Sequence, residues 1–133
     1  MYNLKITKEQ AEVIIKALDL FSRIGIAQFE EILKHPTWQK RIWSGEVDLD
    51  HIREAEHSID MAKFLITGER HGGPGITVAD EPNRVAYDIL QVIQHRLAWD
   101  EKPEGGIQVN FRDPIKWSDQ PLAKIEKENN DEE

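Results

Sequence analysis

Hydrophobic side chains recur at three- and four-residue steps in three stretches of the chain, and this spacing predicts three amphipathic helices. The first is expected over residues 8–35, behind a capping-box pattern that begins at Thr7 and before a proline that stops it. The second is expected over residues 48–67, with Gly68 suited to a left-handed helix end. The third should run over residues 80–101, because acidic residues and a proline open it.

Two short segments alternate like strands instead. Residues 4–6 predict an extended N-terminal piece, and residues 107–111 predict a strand after a pair of glycines. The segment from Pro36 to Gly45 carries two tryptophans, and we expect a connector there with one helical turn. The predicted fold class is therefore α+β, mainly helical: three packed helices covered on one side by a small sheet of the N-terminal and C-terminal strands.

Length and composition indicate how much of the chain folds. A chain of 133 residues with 39% hydrophobic and 32% charged residues has the size and composition of one ordinary globular domain. We assign this domain to residues 1–122. Residues 123–133 are dominated by charged and amide side chains, and we expect them to form a disordered acidic tail.

The charge balance narrows the class of partner. A net charge of -8 disfavours nonspecific binding to DNA or RNA, although a few converging arginines still allow a small anionic ligand. The chain has no cysteine, so a disulfide or a thiolate metal site is excluded. A polar N-terminus and the lack of a long apolar run predict a cytoplasmic protein without a membrane anchor.

A glycine-rich segment after the second predicted helix is one candidate site for an anion. Its arginine and successive backbone amides have the composition of an anion-binding nest, but the ending of a phosphate-binding P-loop is missing. A flexible connector is the competing interpretation. The candidate ligand-binding residues here are Arg70, His71 and Gly73.

The third predicted helix carries a second candidate site. Arg84, Asp88, Gln91 and His95 follow one another at steps of four, three and four residues, which confines them to one narrow helix face. Trp99 lies one turn further and is suited to close one end of a pocket. The competing interpretation is a solvated face with one surface ion pair.

Catalytic and metal-site patterns are present in the sequence only in part. Glu54 and His57 have the spacing used in di-metal helix bundles, but such a site needs a second pair and two further glutamates. The carboxylate pairs of helical nucleotide pyrophosphohydrolases and the surroundings of a serine nucleophile are not met either. We predict no catalytic residue, no metal ligand and no cofactor.

Three phrases resemble small proteins of tailed bacteriophages. They are FSRIGIAQFEEI (residues 21–32), RVAYDILQVIQHRLAW (84–99) and PEGGIQVNF (103–111). The resemblance implies an accessory phage protein of the host bacterial cytoplasm, in a class that often counters host defence. Such proteins bind a nucleotide signal or a host protein, and neither task requires catalysis.

Three functions follow as hypotheses. The first is a noncatalytic sponge for a small nucleotide immune signal, with Arg23 added to the two candidate sites. The second is an inhibitor that grips a host protein through the acidic second helix or the tryptophan-bearing connector. A metal-dependent nucleotide hydrolase is the third and has the least support. Wide apolar helix faces also predict a homo-oligomer.

Overall fold

The structure is a computed structural model that describes residues 1–69 and 79–129. Within these ranges the chain forms four α-helices and two short 3-10 segments, Phe29–Lys34 and Val109–Phe111. None of the described helices combines the length and apolar composition that a bilayer crossing requires. The α-helices are α1 (Lys8–Gly25), α2 (Pro36–Trp43), α3 (Leu49–Thr67) and α4 (Glu81–Glu101).

Both ends of α1 follow from local hydrogen bonding. At its start, the backbone N–H of Gln10 donates to Thr7 Oγ1 at 3.1 Å, and the N–H of Thr7 donates to Gln10 Oε1 at 2.8 Å, which confirms the predicted capping box. At its end, Gln28 N–H donates to the carbonyl of Arg23, and Ala27 adopts φ 70°. This is a Schellman ending, so the helix predicted over residues 8–35 stops ten residues early.

The tryptophan-bearing connector is a helix of its own. His35 caps α2 by accepting from the N–H of Thr37, and Pro36 occupies the first position, where a missing N–H costs nothing. The next helix, α3, begins after the cap Asp48 and ends at Gly68 with φ 80°, as the sequence predicts. The third predicted helix is confirmed as α4.

The predicted small sheet is wrong, because the described residues contain no strand. Residues 4–6 are not helical, yet they pair with no strand. In the C-terminal segment, Phe111 N–H donates to Gln108 and Arg112 N–H to Val109, and these local bonds close a 3-10 turn. Ile107 stays 94% exposed, so the alternation of apolar residues marks no half-buried strand.

The described chain divides into two compact units, and α1 contributes to both. Unit 1 comprises residues 1–19 and those from 81 onward; unit 2 comprises residues 20–80. The single domain over residues 1–122 and the disordered tail stay predictions. In the described part of that tail, Ile125 is half-buried, and Lys5 Nζ lies 3.0 Å from Glu128 Oε1.

Small and aliphatic residues fill the core of unit 1. The amino group of Lys8 donates to Glu101 at 3.1 Å, and this hydrogen bond raises the pKa of Lys8. The C-terminal segment of unit 1 is held to α4 by polar and aromatic contacts. The buried apolar residues of unit 1 are Ala11, Ala86, Leu90, Val92 and Ile93.

In unit 2, α2 and α3 both pack against the 3-10 segment Phe29–Lys34. The apolar stripe predicted for α3 is half-buried at Ile52 and Ile59 but 73% exposed at Ile66. The one buried residue among those described in α3 is Lys63. Unit 2 therefore keeps considerable apolar area at its surface.

Candidate functional site

The sequence-predicted site residues fall into three groups. Arg23 belongs to unit 2, where its Nη1 donates to Gln28 Oε1 at 3.0 Å and lies 3.8 Å from Glu31 Oε1. The α4 stripe, which we define as Arg84, Asp88, Gln91, His95 and Trp99, belongs to unit 1. The loop candidates Arg70, His71 and Gly73 lie outside the described residues.

The α4 stripe holds the C-terminal part of the chain. Residues 109–120, which we call the strap, run back along α4 in the opposite direction, so that the first strap residues lie near the end of the helix. Side chains of the stripe bind mainly the backbone of the strap. The stripe is thus neither an open cleft nor a solvated face.

Asp88 makes the most buried of these contacts. Its side chain is 3% exposed and accepts from the N–H groups of Trp117 and Ser118, each at 2.9 Å. The hydroxyl of Ser118 donates to the same carboxylate at 2.7 Å. Two successive amides and a hydroxyl satisfy a charge that would otherwise be costly to bury.

Gln91 pairs with a single strap residue through both of its polar atoms. Its Nε2 donates to the carbonyl oxygen of Ile115 at 3.0 Å, and the N–H of Ile115 donates to its Oε1 at 3.3 Å. The amide side chain thereby replaces the partner strand that an extended backbone would normally use. The isoleucine side chain takes no part and remains 77% exposed.

His95 and Trp99 hold the start of the strap. Nδ1 of His95 lies 3.1 Å from the carbonyl oxygen of Asn110, so this nitrogen carries the proton, and Nε2 lies 3.9 Å from Asp113. The indole N–H of Trp99 donates to the carbonyl of Phe111 at 3.1 Å. The rings of Trp99 and Phe111 meet edge to face with centroids 5.4 Å apart.

Aromatic contacts anchor the far end of the strap. Trp117 meets Tyr87 edge to face at 5.8 Å, and the guanidinium carbon of Arg84 lies 5.5 Å from the Trp117 ring centroid, in cation–π range. Both carboxylate oxygens of Glu81 accept from the N–H of Asp119, at 2.8 and 3.2 Å. Sequence reasoning missed Glu81, which looks like an ordinary acidic residue of a first helical turn.

Unit 2 contains a different kind of surface. A groove of about 210 Å³ lies among α2, α3 and the 3-10 segment before α2, and its wall is almost wholly apolar. Arg41 and His51 are its only charged or titratable members. The lining residues are Leu33, Trp38, Arg41, Ile42, Val47, His51, Ile52 and Ala55.

Large exposed apolar side chains belong to the same helices. Trp43, at the end of α2, is 79% exposed, and Trp38, which lines the groove, is 51% exposed. Leu49, the first residue of α3, is 57% exposed. We define the tryptophan surface as Trp38, Trp43 and the groove. The sequence predicted a connector for the segment that carries both tryptophans, whereas in the structure both lie in α2.

Metal chemistry receives no geometric support from the described part of the chain. Within residues 1–69 and 79–129, no three or more His, Asp or Glu side chains are grouped to hold a metal ion. Glu54 and His57 lie exposed on α3.

No family model, curated protein or solved structure matches this chain.

Proposed function

We propose that this chain is a noncatalytic binding protein that recognises another protein through its tryptophan surface. The observation that carries the proposal is the half-exposed Trp38 in the wall of an apolar groove, with the more exposed Trp43 at the end of the same helix. Tryptophan is enriched among the residues that dominate protein–protein binding energy, and a contiguous apolar patch on a soluble protein commonly marks an interaction site.

The size and charge of the groove favour a protein anchor over a free small molecule. A volume of about 210 Å³ is smaller than the pockets that take drug-sized ligands, but it accommodates an apolar side chain or two. Arg41 is the permanent cation of the lining, and no acidic residue contributes to it. The complementary partner segment therefore presents an apolar side chain next to a carboxylate.

Affinity capture tests this proposal. Tagged wild-type chain and the Trp38→Ala/Trp43→Ala variant are compared for the proteins they retain from a lysate, after circular dichroism has shown both to be folded. We expect the double variant to retain its partner at least about tenfold less, because loss of an interface anchor costs about 2 kcal/mol or more. Equal capture by both proteins contradicts the proposal.

Leu65→Ala supplies a matched control. Leu65 is 77% exposed on α3 and does not line the groove. It follows Ala55 by ten positions, which corresponds to about 15 Å along the helix. This variant removes a similar apolar side chain from unit 2 and should retain the partner. The capture must then depend on the tryptophan surface specifically.

Sequestration of a nucleotide signal by the α4 stripe stays a prediction. The strap occupies the polar atoms of Asp88, Gln91 and His95 that a nucleotide would need, so binding there requires the strap to leave. Calorimetry against cyclic nucleotides and adenosine-diphosphate-ribose derivatives tests it, and no heat with any of them contradicts it. The phage origin, the cytoplasmic location and a host defence protein as partner also stay predictions.

A further inference from the structure

The contact between the strap and α4 is built as a recognition site for an extended chain. Within unit 1, Asp88 and Gln91 bind backbone groups of the strap, while Phe111 and Trp117 provide aromatic anchors. The connection between helix and strap is a tight reversal over residues 102–106. Apart from this reversal, nothing in the recognition requires the strap and the helix to belong to one chain.

One backbone hydrogen bond and one glycine close the reversal. Gly105 N–H donates to the carbonyl of Lys102 at 2.9 Å, which closes a four-residue turn with Pro103 at its second position. Gly105 adopts φ 78°, and a Cβ there would lie 2.8 Å from Cη2 of Trp99. The closed turn therefore requires glycine for both its backbone conformation and its packing.

Apolar side chains next to the reversal remain uncovered. Ile107 is 94% exposed and Val109 71% exposed, although both belong to the segment that follows the turn directly. When two chains exchange a terminal segment, their hinge residues cross at one place and form a new interface. Burial of this exposed apolar pair against the second copy would favour such an exchange.

We propose that the strap exchanges between two copies of this chain, so that in a reciprocal dimer each α4 holds the strap of the other copy. Every contact between helix and strap is kept, and only the turn over residues 102–106 opens. The exchange is the mechanism of self-association, and it is independent of the tryptophan surface of unit 2.

Gly105→Ala tests the exchange directly. An alanine is strained in the closed turn by its positive φ and by Trp99, whereas an opened hinge relieves both. Because two closed hinges open for every dimer formed, we expect the association constant to rise about tenfold or more. Light scattering after refolding over a range of concentrations measures the mass against the 15.4 kDa of one chain.

Gly45→Ala is the matched control. Gly45 has nearly the same φ, 81°, and lies in unit 2, outside the hinge. A Cβ added at this position would meet nothing within 4 Å. The variant should lower stability without changing the association constant. A Gly105→Ala protein that folds and remains at the mass of one chain at every concentration overturns the proposal.

A mixing experiment identifies the exchanged element and applies even if Gly105→Ala fails to fold. Chains carrying Asp88→Ala keep an intact strap, and chains carrying Trp117→Ala keep an intact α4. After joint refolding of equal amounts, only a mixed dimer that exchanges straps contains one fully intact contact, so native mass spectrometry should show mixed dimers well above the 1:2:1 proportion that random pairing gives. Absence of that excess overturns the exchange, whatever other dimers form.

Discussion

The role of Asp88 in the structure differs from the role that its position in the sequence predicts. On a helical wheel it is one acceptor in a polar stripe, next in line to Arg84. In the structure it is 3% exposed and accepts from two backbone N–H groups and the hydroxyl of Ser118. Charged hydrogen bonds of this kind are among the stronger ones in proteins, so this carboxylate is central to the attachment of the strap.

Asp88→Ala is expected to lower the free energy of unfolding by about 2–4 kcal/mol, because it leaves the N–H of Ser118 and its neighbour without an acceptor inside the protein. Urea titration followed by circular dichroism measures this. Asp113→Ala removes a carboxylate whose side chain is fully exposed, and it should change the same quantity by less than about 0.5 kcal/mol. Equal effects of the two variants would contradict the structural role of Asp88.

The ion pair between Arg96 and Asp100 predicts a pH dependence. Arg96 donates to Asp100, and this hydrogen bond holds the pKa of the carboxyl below its ordinary value of 3.8. A pKa lowered by folding means that the pair stabilises the protein above pH 3.8 and that this contribution is lost as the pH falls through the folded pKa.

Asp100→Asn should therefore lower the free energy of unfolding at neutral pH by about 0.5 kcal/mol, the range for a partly exposed pair on a helix. The difference between the two proteins should become smaller in acid. Denaturant titrations near neutral pH and at about pH 2.5 measure it. A difference that is the same at both pH values would show that the ion pair is not its source.

At the scale of elements, the helix starts are set by residues within a few positions of one another. Thr7 and Gln10 bind each other's backbone N–H groups, and Asp48 accepts from the N–H of Asp50 at the start of α3. The end of α1 is different. A Schellman motif closes it with Ala27 in the left-handed conformation, where a glycine would be expected.

Thr7→Ala should lower the free energy of unfolding by about 1 kcal/mol, since the N–H of Gln10 loses its side-chain acceptor at an exposed helix start. Thr7→Ser keeps the hydroxyl and should keep most of that stability. Thermal melts of the three proteins measure the effect. If serine destabilises as much as alanine, the hydroxyl contributes nothing to the start of α1.

For the whole molecule, net charge governs which long-range partners are attracted. With a net charge of -8, the chain should show no measurable binding to a mixed-sequence DNA duplex at physiological salt. Fluorescence anisotropy of a labelled duplex measures this. Binding that weakens steeply as salt is added would contradict the prediction, because it would reveal a basic surface that neutralises phosphates.

The sequence located α3 and α4 nearly to the residue, since apolar periodicity, Asp48 and Gly68 act within the helix itself. It failed for α2, because a segment of eight residues is too short to show an apolar periodicity of its own, and a connector with one helical turn was predicted there. It also grouped the α4 stripe correctly on one helix face. What that face binds in the structure, the backbone of residues 109–120, carries no side-chain pattern that a sequence could reveal.

The sequence by itself determined the mainly helical character, the starts of α1, α3 and α4, and the common face of the α4 stripe, because all of these depend on interactions between residues a few positions apart. Only the tertiary structure decided that the strap occupies this face, that residues 107–111 form no strand, and that Trp38 and Trp43 are left exposed. These outcomes depend on which distant groups satisfy a buried carboxylate or a free backbone amide. Hydrogen bonding and burial of that kind are settled by contacts between residues far apart in the chain.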